Sequence, residues 1–237
     1  MVNNLKIELF ADGANLQEIV NLNNDPTISG LTTNPTLMRK SGVSNYETFA
    51  KQVLSHVRVK PVSFEVFADT VPEIIRQGRI LASWGKNVFV KIPVTLTSGE
   101  FTGEALQVLS SEGIQINVTA IMTTQQISAS LNCLDVNTAS NLSMFAGRIA
   151  DTGVDPIPYI RESIVLIRAR NPLCKLIWAS PREVLNIYQA NEVGCDIITV
   201  SSDLLAKRIL FNKNLETYSR ETVQMFHDDA KKSGWTL

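Results

Sequence analysis

Short β-branched or apolar runs recur eight times along the chain, and this repetition restricts its fold more than any other feature. They occupy residues 5–11, 28–32, 62–67, 87–92, 114–119, 142–146, 174–179 and 197–200. Spread over 237 residues, they leave about 30 residues for each strand-plus-helix unit, the size of a βαβ repeat. Helical spacing fills the intervals. In 71–82 the apolar set Val71, Ile74, Ile75, Ile80 and Leu81 forms a stripe, and 159–167 and 183–193 behave similarly. Helix starts are signalled by Thr70 before Val71-Pro72-Glu73 and by Asp155-Pro156. In Ser180-Pro181-Arg182-Glu183 the Ser and the Glu three residues later read as a capping box. No Gly/Ser linker or charge block divides the chain. The pattern predicts one (β/α)8 TIM barrel over 1–213, with a helical tail of the same domain over 214–237. A doubly wound open sheet is the alternative if a strand or two is miscounted. The tail predicts a helix around 216–232 carrying Leu215, Tyr218, Val223, Met225 and Phe226. That helix either closes the barrel or docks on a neighbouring subunit.

Charge and cysteine content narrow the function classes. With 22 Lys+Arg against 23 Asp+Glu the net charge is −1, so nothing draws the chain toward nucleic acid or anionic lipid. Cys133, Cys174 and Cys195 form no CxxC, and His56 and His227 are the histidines, so four-ligand zinc spacing and an HExxH helix are excluded. A catalytic Cys–His pair stays open, although isolated cysteines ordinarily pack as small hydrophobes. No basic-then-apolar leader pattern and no apolar run near ~18 residues occurs, which together with unpaired cysteines gives the expectation of a cytoplasmic protein with no membrane partner.

In a parallel barrel the strand C-termini form the functional face. Polar residues collect there. Strand one ends in Asp12, strand two in Thr32-Thr33-Asn34-Pro35, and strand three carries Glu65. Strand four sets Lys91 among Val88, Phe89, Val90, Ile92 and Pro93. Strand five holds Asn117 and Thr119 on one side, strand six has Ser143 followed by Arg148, and strand seven ends in Ser180 with Arg182 just after. Lys91 is the most informative. A lysine in an apolar strand is expensive unless paired, and desolvation favours the neutral amine that acts as a nucleophile. Two readings follow: Schiff-base chemistry, or a buried ion pair with Glu65 or Asp12 and no chemistry. For the first, Glu65 and Asp12 would move protons near the amine, with Thr119 as a water anchor. Asn34 and Asn117 suit a polyol, and Arg148, Ser180 and Arg182 would meet a phosphate at a helix N-terminus opening at Ser180.

The whole chain resembles the small-subunit branch of the transaldolases, which includes the fructose-6-phosphate aldolases. The matching segments are LFADG (9–13), GLTTNPT (30–36), NVFVKIPVT (87–95), NVTAI (117–121), FAGRI (145–149) and ASPR (179–182). The resemblance implies a (β/α)8 barrel with the Schiff base on Lys91, no metal and no organic cofactor. It implies Asp12 as the proton-transfer residue, and Glu65 and Thr119 as holders of the catalytic water. Thr32, Asn34, Asn117, Ser143 and Phe145 would line the site of the dihydroxyacetone unit, and Arg148, Ser180 and Arg182 would hold a sugar phosphate. It also implies homo-oligomers, pentamers or decamers, assembled through C-terminal helices.

The aldolase branch tends to carry Gln at the third-strand carboxylate and Tyr at the sixth-strand aromatic; Glu65 and Phe145 here lean toward a transaldolase. Pro181 departs from the family's A-S-F-[RK] run and bears on the phosphate fit. The expected activity is transfer of a dihydroxyacetone unit from a ketose phosphate (sedoheptulose 7-phosphate or fructose 6-phosphate) to an aldose phosphate, as in the pentose phosphate pathway. The alternatives are an aldolase releasing free dihydroxyacetone and a catalytically silent sugar-phosphate-binding barrel.

Overall fold

The computed structural model describes residues 5–236. In chain order its elements are β1 (Glu8–Asp12), α1 (Leu16–Asn24), β2 (Ile28–Thr32), α2 (Pro35–Lys40), α3 (Tyr46–His56), β3 (Val62–Glu65), α4 (Val71–Ser83) and β4 (Val88–Pro93). There follow α5 (Gly103–Ser111), β5 (Ile116–Ile121), α6 (Thr124–Cys133), β6 (Ser140–Met144), α7 (Ala146–Asp151) and α8 (Ile157–Arg170). β7 (Cys174–Trp178), α9 (Leu185–Val193), β8 (Ile197–Ser201), α10 (Ser202–Ala206) and α11 (Leu215–Ser233) complete the chain. The eight strands are parallel and close in sequence order, β8 pairing back onto β1. This is the (β/α)8 barrel that the spacing predicts; closure leaves no strand edge, so the open-sheet alternative is excluded.

Side-chain alternation sorts the strands into two sets. Leu9, Ala11, Val88, Val90, Ile92, Val118 and Leu142 are buried and belong to the large core between barrel and helices. The opposite phase packs a small cluster of its own, in which Phe10, Ile177 and Ile197 fill the barrel's lower interior. Gly30 makes room for this filling: a Cβ there would lie 2.5 Å from Phe10 Cζ. Above that apolar plug the same inward phase turns polar. Asp12 pairs in register with Thr32, Glu65 with Lys91, and Lys91 with Asn117, while across β2–β3 it is Ser63, two residues before Glu65, that pairs with Thr32.

Several local expectations are corrected. β3 stops at Glu65, and Phe67 is exposed. β5 runs two residues further than the apolar run suggests, through a register shift between Val118 and Ile121. There Ala120 takes φ 62°, a left-handed bulge of the kind that re-aims neighbouring side chains beside active sites. Thr70 precedes α4 without its side chain capping it. The Ser180 capping box does not form: Ser180 sits at φ 57°, and α9 begins only at Leu185. Asn186 Oδ1 instead accepts from the Arg182 and Glu183 amides at 2.8 and 3.1 Å, which keeps 181–184 a loop.

The tail helix α11 forms close to its predicted bounds, capped by Asn214, but buries none of its residues. Leu215, Val223 and Phe226 are exposed, and the barrel closes without it. Cys174 and Cys195 are buried, and burial pushes both thiols up to about 12. Thiolate is therefore scarce at neutral pH, and a nucleophilic Cys–His role for either is disfavoured. Among the described residues no helix is long and apolar enough to cross a membrane.

Candidate active site

A cavity of about 430 Å³ opens at the C-terminal ends of the strands, within the range of small-ligand sites. Lys91, Glu65, Asp12, Thr32, Asn34, Thr119, Ser143, Phe145, Arg148 and Ser180 line it. The sequence reading named every one of these. Their convergence follows from the inward phase of the strand ends and from two short loops, Thr33–Asn34 after β2 and Ala179–Ser180 after β7.

At its floor Lys91 is 6% exposed. Its Nζ lies 3.1 Å from Glu65 Oε2 and donates to the Thr33 carbonyl at 3.1 Å. The ion pair raised as an alternative in the sequence reading is therefore present, formed with Glu65 and not with Asp12. It does not close the site, because both side chains still border the cavity. A polar contact of this kind also serves a nucleophile: Glu65 is placed to take the proton an ammonium must lose before its nitrogen attacks.

Asp12 stands across the floor on β1. Thr32 Oγ1 donates to its Oδ1 at 2.8 Å, and Asn34 Nδ2 approaches Oδ2 at 3.4 Å. Burial raises the pKa of the carboxyl above its ordinary value of 3.8, against the opposing pull of the Lys91 charge and the bonds from Thr32 and Asn34. Asn34 has two tasks that the TTNP segment fixes together. Its Oδ1 accepts from the Leu37 amide at 2.9 Å, capping α2 with Pro35 in the first turn. The cap holds the amide rigid, and its Nδ2 is thereby aimed at Asp12.

On the other wall, Asn117 lies beneath the cavity surface, fully buried. It donates to Ser63 Oγ at 3.0 Å and accepts from Ser143 Oγ at 2.7 Å. Its amide is engaged by Ser63 and Ser143, and of these Ser143 reaches the lining. Ser63 was not recognised in the sequence, since a serine inside VSFEVF carries no signal until the register is known. Thr119 Oγ1 is buried and has no hydrogen-bond partner among the protein atoms. A buried hydroxyl left so costs about 1–3 kcal/mol, and Thr119 borders the cavity.

At the rim, Phe145 lies beneath the Arg148 guanidinium, 5.6 Å from carbon to ring centroid, a cation–π contact that steadies both. Arg182, like Asn117, is a predicted site residue that is not part of the cavity lining. It forms a two-point pair with Asp151, Nε to Oδ1 at 3.1 Å and Nη2 to Oδ2. Ser180 keeps its place on the wall through a tight crossing: its carbonyl passes so close to α7 that a Cβ on Gly147 would lie 1.6 Å from it, so no side chain fits at 147. Among the described residues lining the cavity, Arg148 is the sole guanidinium.

Fold and site together define a parallel barrel with a buried lysine–carboxylate centre at its mouth. The profile of the Transaldolase/Fructose-6-phosphate aldolase family matches residues 9–236. Similar chains include three described as "Probable transaldolase". The one from Dehalococcoides mccartyi is 34% identical over 199 residues, 84% of this chain and 88% of the relative. The one from Methanococcus vannielii is 33% identical over 209 residues, 88% and 92%. The third, from Thermoanaerobacter sp., is 31% identical over 228 residues, 96% and 99%. The chain belongs to the transaldolase/fructose-6-phosphate aldolase family.

Proposed function

We propose that this protein is a transaldolase that moves a dihydroxyacetone unit from a ketose phosphate to an aldose phosphate through a Schiff base on Lys91. The observation that carries the proposal is the buried Lys91 amine, 3.1 Å from Glu65 and bordering the same cavity as Asp12. Lys91 Nζ, its proton passed to Glu65, attacks the C2 carbonyl of the donor. Thr119 and Glu65 hold the water released as the carbinolamine collapses to the iminium. Asp12 then takes the proton of the C4 hydroxyl, the C3–C4 bond breaks, and its electron pair moves to the iminium nitrogen, leaving an enamine and a free aldose phosphate. An acceptor aldehyde enters, the enamine carbon attacks it, Asp12 returns the proton to the new alkoxide, and water frees Lys91. The lysine is the electron sink, so the scheme calls for no metal and no organic cofactor.

Arg148 and Ser180 are the groups that meet the sugar phosphate, with Phe145 covering the enamine until an acceptor arrives. Phe145 and Glu65 support transfer over release. A tyrosine at 145 would add an acid beside the enamine and favour free dihydroxyacetone, which is the alternative activity. Product analysis separates the two. With fructose 6-phosphate, turnover requires erythrose 4-phosphate if the protein is a transaldolase. Equal accumulation of dihydroxyacetone without the acceptor contradicts transfer and supports the aldolase. The exposed apolar side of α11 is proposed as a self-association surface in a cytoplasmic homo-oligomer. Light scattering that reads only the 26.2 kDa chain at micromolar concentration would refute that assembly.

A further inference from the structure

Thr199 falls within the β-branched run 197–200, which singles it out for no role. In the structure it lines the catalytic cavity from β8, 7% exposed, and its Oγ1 lies 2.6 Å from Thr32 Oγ1. Thr32 Oγ1 is in turn 2.8 Å from Asp12 Oδ1. Closure of the barrel makes this row: β1 lies between β2 and β8, so a hydroxyl from each flank reaches the carboxylate's surroundings.

We infer that Thr199 is a positioning residue for the proton transfer at Asp12, acting through Thr32. The inference rests on the Schiff-base reading above. A hydroxyl has one hydrogen to give. While Asp12 is ionised, the Thr32 hydrogen is directed to Oδ1, and Thr32 oxygen is then free to accept from Thr199. Thr199 donation fixes the Thr32 rotor in this orientation and polarises it, strengthening the bond that stabilises the carboxylate. Once Asp12 has taken the substrate proton, its demand for a donor falls. The Thr32 hydrogen can then swing to Thr199 Oγ1, leaving Thr32 oxygen to accept from the carboxylic acid. Two hydroxyls thus supply a matching partner for both protonation states of Asp12. No bond other than hydrogen bonds changes and no proton leaves the chain. The other charged groups on the cavity wall are Lys91, Glu65 and Arg148, and Asn34 meets the second carboxylate oxygen. None of these occupies the position of Thr199.

The test compares Thr199→Val, which keeps the branched shape, with Thr199→Ser, which keeps the hydroxyl. For each, kcat is measured across pH with fructose 6-phosphate and erythrose 4-phosphate, and the Lys91 adduct is trapped with borohydride. Thr199→Val is expected to lose about tenfold in kcat, the scale of one hydrogen bond, with its acid limb moved to higher pH by roughly half a unit. Its adduct should form at the normal level, and Thr199→Ser should recover most of the loss. Unchanged kcat and acid limb in Thr199→Val overturn the relay, as does equal loss in both variants, which would mark a packing role. An absent adduct in the wild-type protein overturns the Schiff-base reading beneath it; a wild-type adduct beside an unaffected Thr199→Val overturns the relay alone.

Discussion

Lys91→Ala should abolish turnover, with a fall in kcat/KM of at least about 10⁴-fold, equivalent to some 5 kcal/mol of transition-state stabilisation. The expectation follows from the chemistry assigned to the amine. Without it there is no iminium to receive the C3–C4 electron pair, and neither Glu65 nor Asp12 can substitute as an electron sink. The change also leaves the Glu65 carboxylate without its partner. Glu65 borders the cavity and its side chain is 15% exposed, so water entering the enlarged floor can solvate it. The fold should survive, because Lys91 lies in the inward set and not in the apolar core that binds sheet to helices. Circular dichroism of the variant checks this. Retained turnover above about one hundredth of wild type would show that the reaction does not pass through this nitrogen.

Asp12→Asn should lower kcat by about 10²–10⁴-fold, the range supplied by a positioned general acid–base. A carboxamide keeps the size of the side chain and can keep contacts to Thr32 and Asn34, but it cannot take the C4 hydroxyl proton. In the proposed scheme imine formation relies on Glu65 and Thr119, so the variant should still form the Lys91 adduct. Dissociation of the two steps is the diagnostic: adduct intact, cleavage slow. The wild-type pH profile carries a linked signature. Asp12 works as a base only when ionised, and its rate contribution is lost as pH falls through its pKa. Because burial raises that value above 3.8, the acid decline should set in at higher pH than for an ordinary aspartate. A decline only at the ordinary carboxylate value, or Asp12→Asn turning over at the wild-type rate, would remove Asp12 from the proton-transfer role.

What could be read in the sequence divides along a physical line. Strands were legible because β-branched runs at a fixed spacing have few competing explanations, and all eight form. Lys91 was legible because a charge inside VFVKIP conflicts with its neighbours. Asp12, Glu65 and Ser143 were legible as polar residues at or near the ends of such runs. What escaped depends on contacts between strands distant in sequence. Thr199 and Thr32 are separated by 167 positions, and only closure of the ring brings β8 beside β1. The Ser63–Asn117–Ser143 chain likewise needs the register of β3 to β6. The helix start at Ser180-Pro181 failed for a local reason: the loop is held by Asn186, and Arg182 pairs with Asp151 beside it. For α11, helical propensity was plain in the sequence, while its lack of burial is a tertiary fact that no periodicity reveals.

The central claim is that one buried amine forms a covalent bond with a ketose. Borohydride reduction in the presence of fructose 6-phosphate, followed by peptide mass mapping, tests it directly. The expected result is a single reduced sugar adduct on Lys91 of the wild-type chain, kept in Asp12→Asn and missing from Lys91→Ala. An unmodified Lys91, or an adduct on another lysine that persists in Lys91→Ala, would contradict it.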